Sequence, residues 1–319
     1  MSHTLGLVAN MLEPAGTLEL IARADALGLS TAWLITGPTS PDPLMLLAGA
    51  AARAQRIQLG TAILPIMPRH PLAVAQAVLA LNTIAPNRLR LGLGPGGAGN
   101  ERIYGIPYGK PLGHLREYLM ILRTIFTSGQ VDFDGEHYHA HARLGAANQP
   151  ALTVQVSLLT SALQRGSFHF GGELADGVLT WICPLAYVRS VGLPALREGA
   201  QSAGRAAPPL IAHVPVVIHA NAEEVRAAVR AQYGFYTRLP YYAAMFAAAG
   251  FPEASESGWS DRMIDATVVH GDEATVGQRL EEFYDAGVGE VMAQVVPAGA
   301  DRAVSLARTL EGLASFARG

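Results

Sequence analysis

Apolar residues along this chain fall into two recurring kinds of run, and their alternation predicts the architecture. Short runs with little polar interruption, over residues 5–10, 31–35, 57–64 and 89–93, have the form of strands buried on both faces. Longer segments with apolar residues at helical spacing lie between them. Residues 17–27 are capped by Thr17 and closed by Gly28, residues 43–54 follow, and residues 72–84 start behind Arg69-His70-Pro71 and stop at Pro86-Asn87. A buried strand joined to the next by a helix is a parallel βαβ unit. The rhythm continues with a helix over 112–128, where Leu115, Leu119, Leu122 and Phe126 share one side. It breaks at 129–150, where a turn at Asp134-Gly135 between two extended runs predicts an inserted hairpin. Strands over 152–160 and 177–181 then alternate with helices over 161–174 and 184–204, the latter weak at Gly192-Leu193-Pro194. A β-branched strand over 210–219 leads to a helix over 222–232. Residues 233–265 are aromatic-rich and irregular, with a helix expected over 241–249. A helix over 273–287, a strand over 290–296 and a helix over 303–317 complete the pattern.

Eight strands alternating with about eight helices, with no composition break, predict one domain over 1–319. The expected fold is a (β/α)8 TIM barrel, with the hairpin inserted after the fourth helix and the irregular insertion before the last helix–strand unit. A doubly wound open sheet is the rival arrangement. In a barrel the sites lie on loops at the carboxyl ends of strands, and the run Gly94-Pro95-Gly96-Gly97-Ala98-Gly99 is such a loop.

Composition narrows the function classes. Half of the residues are apolar and 15% are charged, with a net charge of −3 and 23 Lys and Arg spread thinly, so no nucleic-acid footprint is present. Mean hydropathy of +0.23 is high, but no apolar run reaches membrane-spanning length. One cysteine, Cys183, excludes an internal disulfide framework and fits a reducing cytoplasm. The stretch MSHTLGLVAN lacks a basic region followed by an apolar segment, so no signal peptide is expected.

Gly94, Gly96 and Gly99 satisfy G-x-G-x-x-G, but they follow the fourth strand and enclose Pro95, unlike a dinucleotide fingerprint. A tight turn would explain some of these glycines; a phosphate or cofactor edge against bare backbone explains all of them. His137, His139 and His141 alternate and would share a face on a strand, which suits either a metal or an exposed hairpin face; no carboxylate or cysteine completes a ligand set, and no metal is expected. Arg69-His70 suits an anion or ring-edge contact or plain helix capping. Trp33 reads as core, Cys183 carries no mark of a nucleophile, and no nucleophile elbow is present.

Several motifs together resemble the bacterial luciferase-like flavin and deazaflavin oxidoreductases, and within them the coenzyme F420-dependent branch. They are Pro41-Asp42-Pro43-Leu44 leading to Arg56-Ile57-Gln58-Leu59-Gly60-Thr61-Ala62, then Arg69-His70-Pro71, then Gly92-Leu93-Gly94 through Asn100-Glu101. Phe133-Asp134-Gly135-Glu136-His137-Tyr138 and Gly172-Glu173-Leu174-Ala175-Asp176-Gly177 extend the likeness nearly end to end. The resemblance implies a TIM barrel. It also implies a non-prolyl cis peptide in a bulge of the third strand, here Ala62-Ile63 after Thr61, against which a deazaflavin or flavin ring rests. The cofactor tail is expected against Gly94, Gly96, Gly97 and Asn100 and against Ser161, Ala162 and Leu163.

Departures bear on the substrate. The family often has an acidic residue and a histidine after the second strand, where this chain has Leu34-Ile35-Thr36-Gly37. Gly97 stands where the deazaflavin-dependent sugar-phosphate dehydrogenases carry a catalytic acid, and Gln164-Arg165 stands where many members have Gly-Pro. Sugar-phosphate oxidation is therefore disfavoured, and no catalytic residue is assigned. The expectation is hydride transfer between F420 and a small, mostly apolar organic molecule, in a cytoplasmic homodimer with no nucleic-acid or membrane partner. The aromatic residues Phe235, Tyr236, Tyr241, Tyr242 and Phe246 either wall the pocket or pack as an insertion on the rim. The alternatives are an FMN-dependent two-component monooxygenase and a non-catalytic flavin-binding relative.

Overall fold

A computed structural model describes residues 3–319 other than Leu12, Ala98, Tyr108 and Ala147, with Gly99 and Asn100 described by backbone alone. Eight parallel strands form a closed ring: β1 (Leu5–Val8), β2 (Thr31–Leu34), β3 (Gln58–Pro65), β4 (Leu89–Gly94), β5 (Ser157–Ser161), β6 (Gly177–Leu179), β7 (Leu210–Ile218) and β8 (Glu290–Val295). Each pairs with its successor, and Leu5 opposite Val291 joins β1 to β8. Closure settles the barrel against the open sheet, because an open sheet would leave two edges. The largely apolar strands are explained at once: each faces the packed interior on one side and the helical layer on the other.

The expected elements stand with shifted ends. The first helix runs Pro14–Leu27, so Thr17 lies inside it rather than capping it, and its hydroxyl instead accepts a bond from the Met11 N–H at 3.0 Å. β5 begins at Ser157 rather than 152, and its helix at Arg165 rather than 161, which leaves Ser161 as the last residue of β5 and 162–164 as loop. The weak point at Gly192-Leu193-Pro194 is a π-turn, Val188–Gly192, followed by helix Leu193–Ser202. Pro194 lacks an N–H, and a wider turn just ahead of it keeps the chain helical. A short helix, Gly99–Tyr104, and a strand, Val269–Gly271, were not expected; the strand pairs with the end of β7 at Val216–Ile218. The irregular insertion contains helices Pro240–Ala248, Ala254–Ser257 and Asp261–Thr267.

The hairpin pairs Gln130–Asp134 with His139–Arg143. It is fastened to helix Pro111–Ser128 by Glu117, whose carboxylate accepts the N–H groups of Glu136, His137 and Tyr138 at 2.8, 2.9 and 3.0 Å. Burial pushes that carboxyl's pKa up, but the three backbone bonds outweigh it and hold it below the ordinary value. The three histidines do not meet at one point. His139 and His141 both reach Asp134 Oδ1, at 2.8 and 3.2 Å, and His141 also bonds Asp132 at 2.5 Å, whereas His137 turns away to stack on His114 at 3.9 Å. Among the described residues no group of three such side chains is placed to hold a metal ion. No described helix is long and apolar enough to cross a membrane.

The amino-terminal end of the barrel is plugged. Trp33 is fully buried in the interior, and its Nε1–H donates to Glu290 Oε1 at 2.9 Å. A Cβ on Gly60 would overlap the Trp33 six-membered ring, and one on Gly6 would overlap its pyrrole edge, so the indole needs glycine on both neighbouring strands. Glu290 also pairs with Arg90, whose guanidinium lies 4.6 Å from the Trp33 ring centroid and donates to Thr31 Oγ1 at 3.0 Å. A cavity of about 430 Å³ opens beside this floor, between Gln58, Arg90, Ser157 and helix residues Arg123 and Phe126, at the opposite end from the expected site.

Candidate functional site at the carboxyl ends of the strands

Above Trp33 the barrel interior is apolar: Val8, Ala62, Leu159, Leu179, Ile211 and Met292, with Ile35, Ile63 and Trp181 packed on top. The peptide Ala62-Ile63 is cis, as the resemblance implied, and the pairing of β3 with β4 slips between Thr61 and Leu64. Thr61 itself turns into the wall, where its hydroxyl donates to the Gly92 carbonyl at 2.8 Å. The residue is fully buried in the wall. Gly94 is hemmed in by Ser161 Oγ and Ile63 Cδ1, 2.5 and 2.7 Å from where a Cβ would stand. Three of the expected residues, from three strands, therefore meet at one point of the mouth. Gly97 is exposed and has nothing within 4 Å of a Cβ position, which makes it open backbone. Gly96 has positive φ of 78°. The Asn100 side chain lies outside the described residues.

In the β5 loop, Ala162 N–H donates to the Leu179 carbonyl at 2.8 Å, and the N–H groups of Leu163 and Gln164 both donate to Ser167 Oγ at 3.1 Å. Those three donors are already used. The open backbone there is Gly166, one residue into the helix, with nothing within 4 Å of a Cβ position. Arg69 is paired with Asp42, and His70 caps helix Pro71–Ile84, its Nδ1 accepting the Leu72 N–H at 3.2 Å. Capping is what the structure assigns to His70, and an ion pair to Arg69. Cys183 is 2% exposed and burial pushes its thiol up to about 12, so it is an inert core residue.

A family model described as "Luciferase-like monooxygenase" matches residues 3–290. The chain belongs to the luciferase-like monooxygenase family. A protein of Kineococcus radiotolerans named F420-dependent glucose-6-phosphate dehydrogenase is 29% identical over 216 residues, 62% of this chain and 61% of that protein. One of the same name from Beutenbergia cavernae is 34% identical over 181 residues, 54% of this chain and 52% of that one. The chain thus spans between about half and three-fifths of the length of these curated relatives. An F420-dependent secondary alcohol dehydrogenase solved with an F420-acetone adduct superposes with a TM-score of 0.81 at 18% identity over 100% of both chains. The F420-dependent tetrahydromethanopterin reductase of Methanopyrus kandleri gives 0.77 at 24%, over 98% of this chain and 97% of that one. The oxygenating constituent of 3,6-diketocamphane monooxygenase from Pseudomonas putida, in complex with FMN, gives 0.72 at 18%, over 99% and 98%. At these identities the superpositions establish the luciferase-like barrel.

Within this luciferase-like mouth lies a polar group that the sequence did not announce. His213 on β7, 1% exposed, accepts the Ile182 N–H on Nδ1 at 3.1 Å and faces Gln294 Oε1 with Nε2 at 2.8 Å. An accepting Nδ1 requires the proton on Nε2, so Nε2 is the donor to Gln294. Tyr233 donates its hydroxyl to the same Gln294 oxygen at 2.6 Å. Burial pushes His213 down to about 3 and keeps the ring neutral. Ile182 sits at φ +45°, a left-handed conformation rare for a β-branched residue, and the bond to His213 holds it there. The sequence hint was a polar residue inside each of two largely apolar strands.

The aromatic segment divides. Phe246 is fully buried 5.0 Å from Trp259 and belongs to the core. Tyr236 and Tyr242 pack on each other at 4.7 Å, while Phe235 and Tyr241 stand about half exposed on the rim. Gln164 ties this segment to the β5 loop by donating to the Tyr241 carbonyl at 2.6 Å.

Proposed function

We propose that this chain is an F420-dependent oxidoreductase acting on a small, uncharged, mostly apolar organic substrate. One observation carries the reading: the interior cluster brings Ala62, Ile63, Ile35 and Trp181 together, and Gly97, on the loop after β4, leaves its backbone bare. A flat hydrophobic ring with a long anionic tail fits that pairing, since the ring needs apolar walls and the tail needs N–H groups not screened by side chains. Bound there, the deazaflavin would supply hydride transfer between its C5 and a substrate carbon. The chain's own share is binding and dehydration. Ala62 and Ile63 would back the ring, Ser161 and Gly94 would fix its edge, and Gly97, Asn100 and Gly166 would meet the tail.

The names of the matched relatives favour F420 as cofactor, while glucose 6-phosphate is disfavoured as substrate. Gly97 and Thr36 replace the ionisable groups that the sugar-phosphate branch would need, and the residues of the interior cluster are uncharged. The FMN-bound monooxygenase neighbour supports a second reading, an FMN-dependent monooxygenase on the same ring site. Fluorescence titration of the purified protein separates them. The expected outcome is saturable binding of F420 with FMN about a hundredfold weaker, roughly 2.7 kcal/mol. The reverse order moves the chain to the monooxygenase reading, and tight binding of either without turnover makes it a flavin-binding relative. The proposal includes a cytoplasmic homodimer: Met45, 73% exposed on helix Pro43–Ala51, and Ile84 leave apolar side chains in solvent. Sedimentation showing a monomer at micromolar concentration would remove that part.

A further inference from the structure

The cavity on the underside of the barrel has an uneven supply of hydrogen-bonding groups. It measures about 430 Å³ and lies where β4 and β5 begin, against helix Pro111–Ser128. Arg90, Arg123 and Asp176 line it, and the Glu290 carboxylate stands behind Arg90. The acceptors are spent. Asp176 takes Arg123 on Oδ1 and the Leu158 N–H on Oδ2, each at 2.9 Å, while Glu290 takes Trp33 on Oε1 and Arg90 on Oε2. The donors are not. Arg90 uses Nη1 alone, for Glu290 and Thr31, and its Nε and Nη2 meet no partner among the described residues. Arg123 uses Nη2 alone, for Asp176 and the Leu174 carbonyl, and its Nε and Nη1 are likewise unmatched among the described residues. The Arg90 side chain is only 13% exposed and packs on the Trp33 ring, so its unused edge is held in one orientation. That edge, Nε with Nη2, is the side of a guanidinium that matches the two oxygens of a carboxylate.

We propose that this cavity binds a small organic monocarboxylate, its two oxygens on the Arg90 edge and its apolar body against Phe126, Val154 and Val156. Unmatched donors beside fully engaged acceptors select a ligand that brings acceptors. A carboxylate makes two charge-assisted bonds to the Arg90 edge, where a neutral carbonyl oxygen makes weaker ones. A dianion is disfavoured. Asp176 and Glu290 already balance the two guanidiniums, so a second negative charge would meet two carboxylates with no further cation in the lining. The site lies at the other end of the barrel from the proposed cofactor and does not depend on that reading. A bound carboxylate would also clamp Arg90 over Trp33, so occupancy should stabilise the floor.

The test uses the full chain and benzoate as the probe. Benzamide serves as its neutral counterpart of similar shape, and inorganic phosphate as an oxyanion without an apolar body. Calorimetric titration should show saturable benzoate binding, with benzamide and phosphate each at least about tenfold weaker, roughly 1.4 kcal/mol. Two variants locate the site. Arg123→Gln removes one guanidinium from the lining, and Ser157→Tyr puts a ring into the cavity from an exposed position at the start of β5. Arg90 is left in place because it also holds the Glu290–Trp33 plug. Each variant should bind benzoate at least about tenfold more weakly while keeping the circular dichroism and melting temperature of the wild type without benzoate. Saturating benzoate should raise the melting temperature of the wild type and not that of Ser157→Tyr. The same benzoate affinity in both variants puts the ligand elsewhere and overturns the proposal. So does benzamide or phosphate binding as tightly as benzoate, and so does a titration that never saturates. Benzoate affinity should also be equal with and without F420; competition between the two would place benzoate in the mouth and overturn the assignment.

Discussion

The two ends of the barrel solve opposite problems with similar residues. Each buries a tryptophan among polar partners. At the amino-terminal end the polar groups are matched in a chain: the Trp33 N–H meets Glu290, Glu290 meets Arg90, and Arg90 meets Thr31. At the carboxyl end His213, Gln294 and Tyr233 are equally well matched, and the Trp181 ring stacks on His213. Glycines divide the same way. Gly6 and Gly60 are glycines because Trp33 fills the space, whereas Gly97 is glycine with the space left empty. A filled end reads as structure, and an end with open backbone reads as a place for a ligand.

Substitutions at the two ends should separate stability from binding. The largest effect is expected from Glu290→Ala, which strands Arg90 in a largely buried position and orphans the Trp33 N–H. Chemical denaturation should show a loss of about 3–5 kcal/mol. A loss under about 1 kcal/mol would mean that Glu290 contributes no more than an exposed ion pair does. Gly60→Ala comes next. Its new methyl would overlap the Trp33 ring, and a stability loss of about 1–3 kcal/mol is expected, with F420 affinity unchanged in the surviving folded protein.

The third prediction concerns pH and belongs to the mouth. His213 has a folded pKa of about 3 against an ordinary 6.5, so the unfolded chain binds the extra proton between those values. Stability from this group is fully present above pH 6.5 and declines as pH falls toward 3. Between pH 7.5 and 5 the decline should be about 2 kcal/mol, and His213→Gln should flatten it. Equal slopes in the two proteins would show that His213 protonates without penalty. The smallest effect on folding is expected at Gly97→Ala, within about 0.5 kcal/mol of wild type, because the methyl meets nothing. The same change should weaken F420 binding measurably. If it destabilises the fold and spares the ligand, the contrast between the ends fails.

The barrel was legible in the sequence because its signal is repetitive. Each strand is apolar on both faces and each helix has one apolar side, and eight repetitions leave little room for another arrangement. Element ends were less legible: Thr17 looks like a cap by type, but the helix had already begun at Pro14. Strand Val269–Gly271 is too short to leave a periodic trace. The mouth was half legible. Gly94, Ile63 and Ser161 were found through family motifs, and the structure brings them together. His213, Tyr233 and Gln294 were not, because they belong to a strand, a helix and another strand spread widely along the chain. Only closure of the ring makes them neighbours, and no local spacing encodes that.

The Trp33 plug also governs traffic. A barrel corked at one end is a cup, and whatever enters must leave by the rim it came through. Two molecules that react inside such a vessel queue: the one seated deeper arrives first and departs last. For the cofactor and substrate proposed above, the order of arrival would thus be set by the floor, an indole and two glycines.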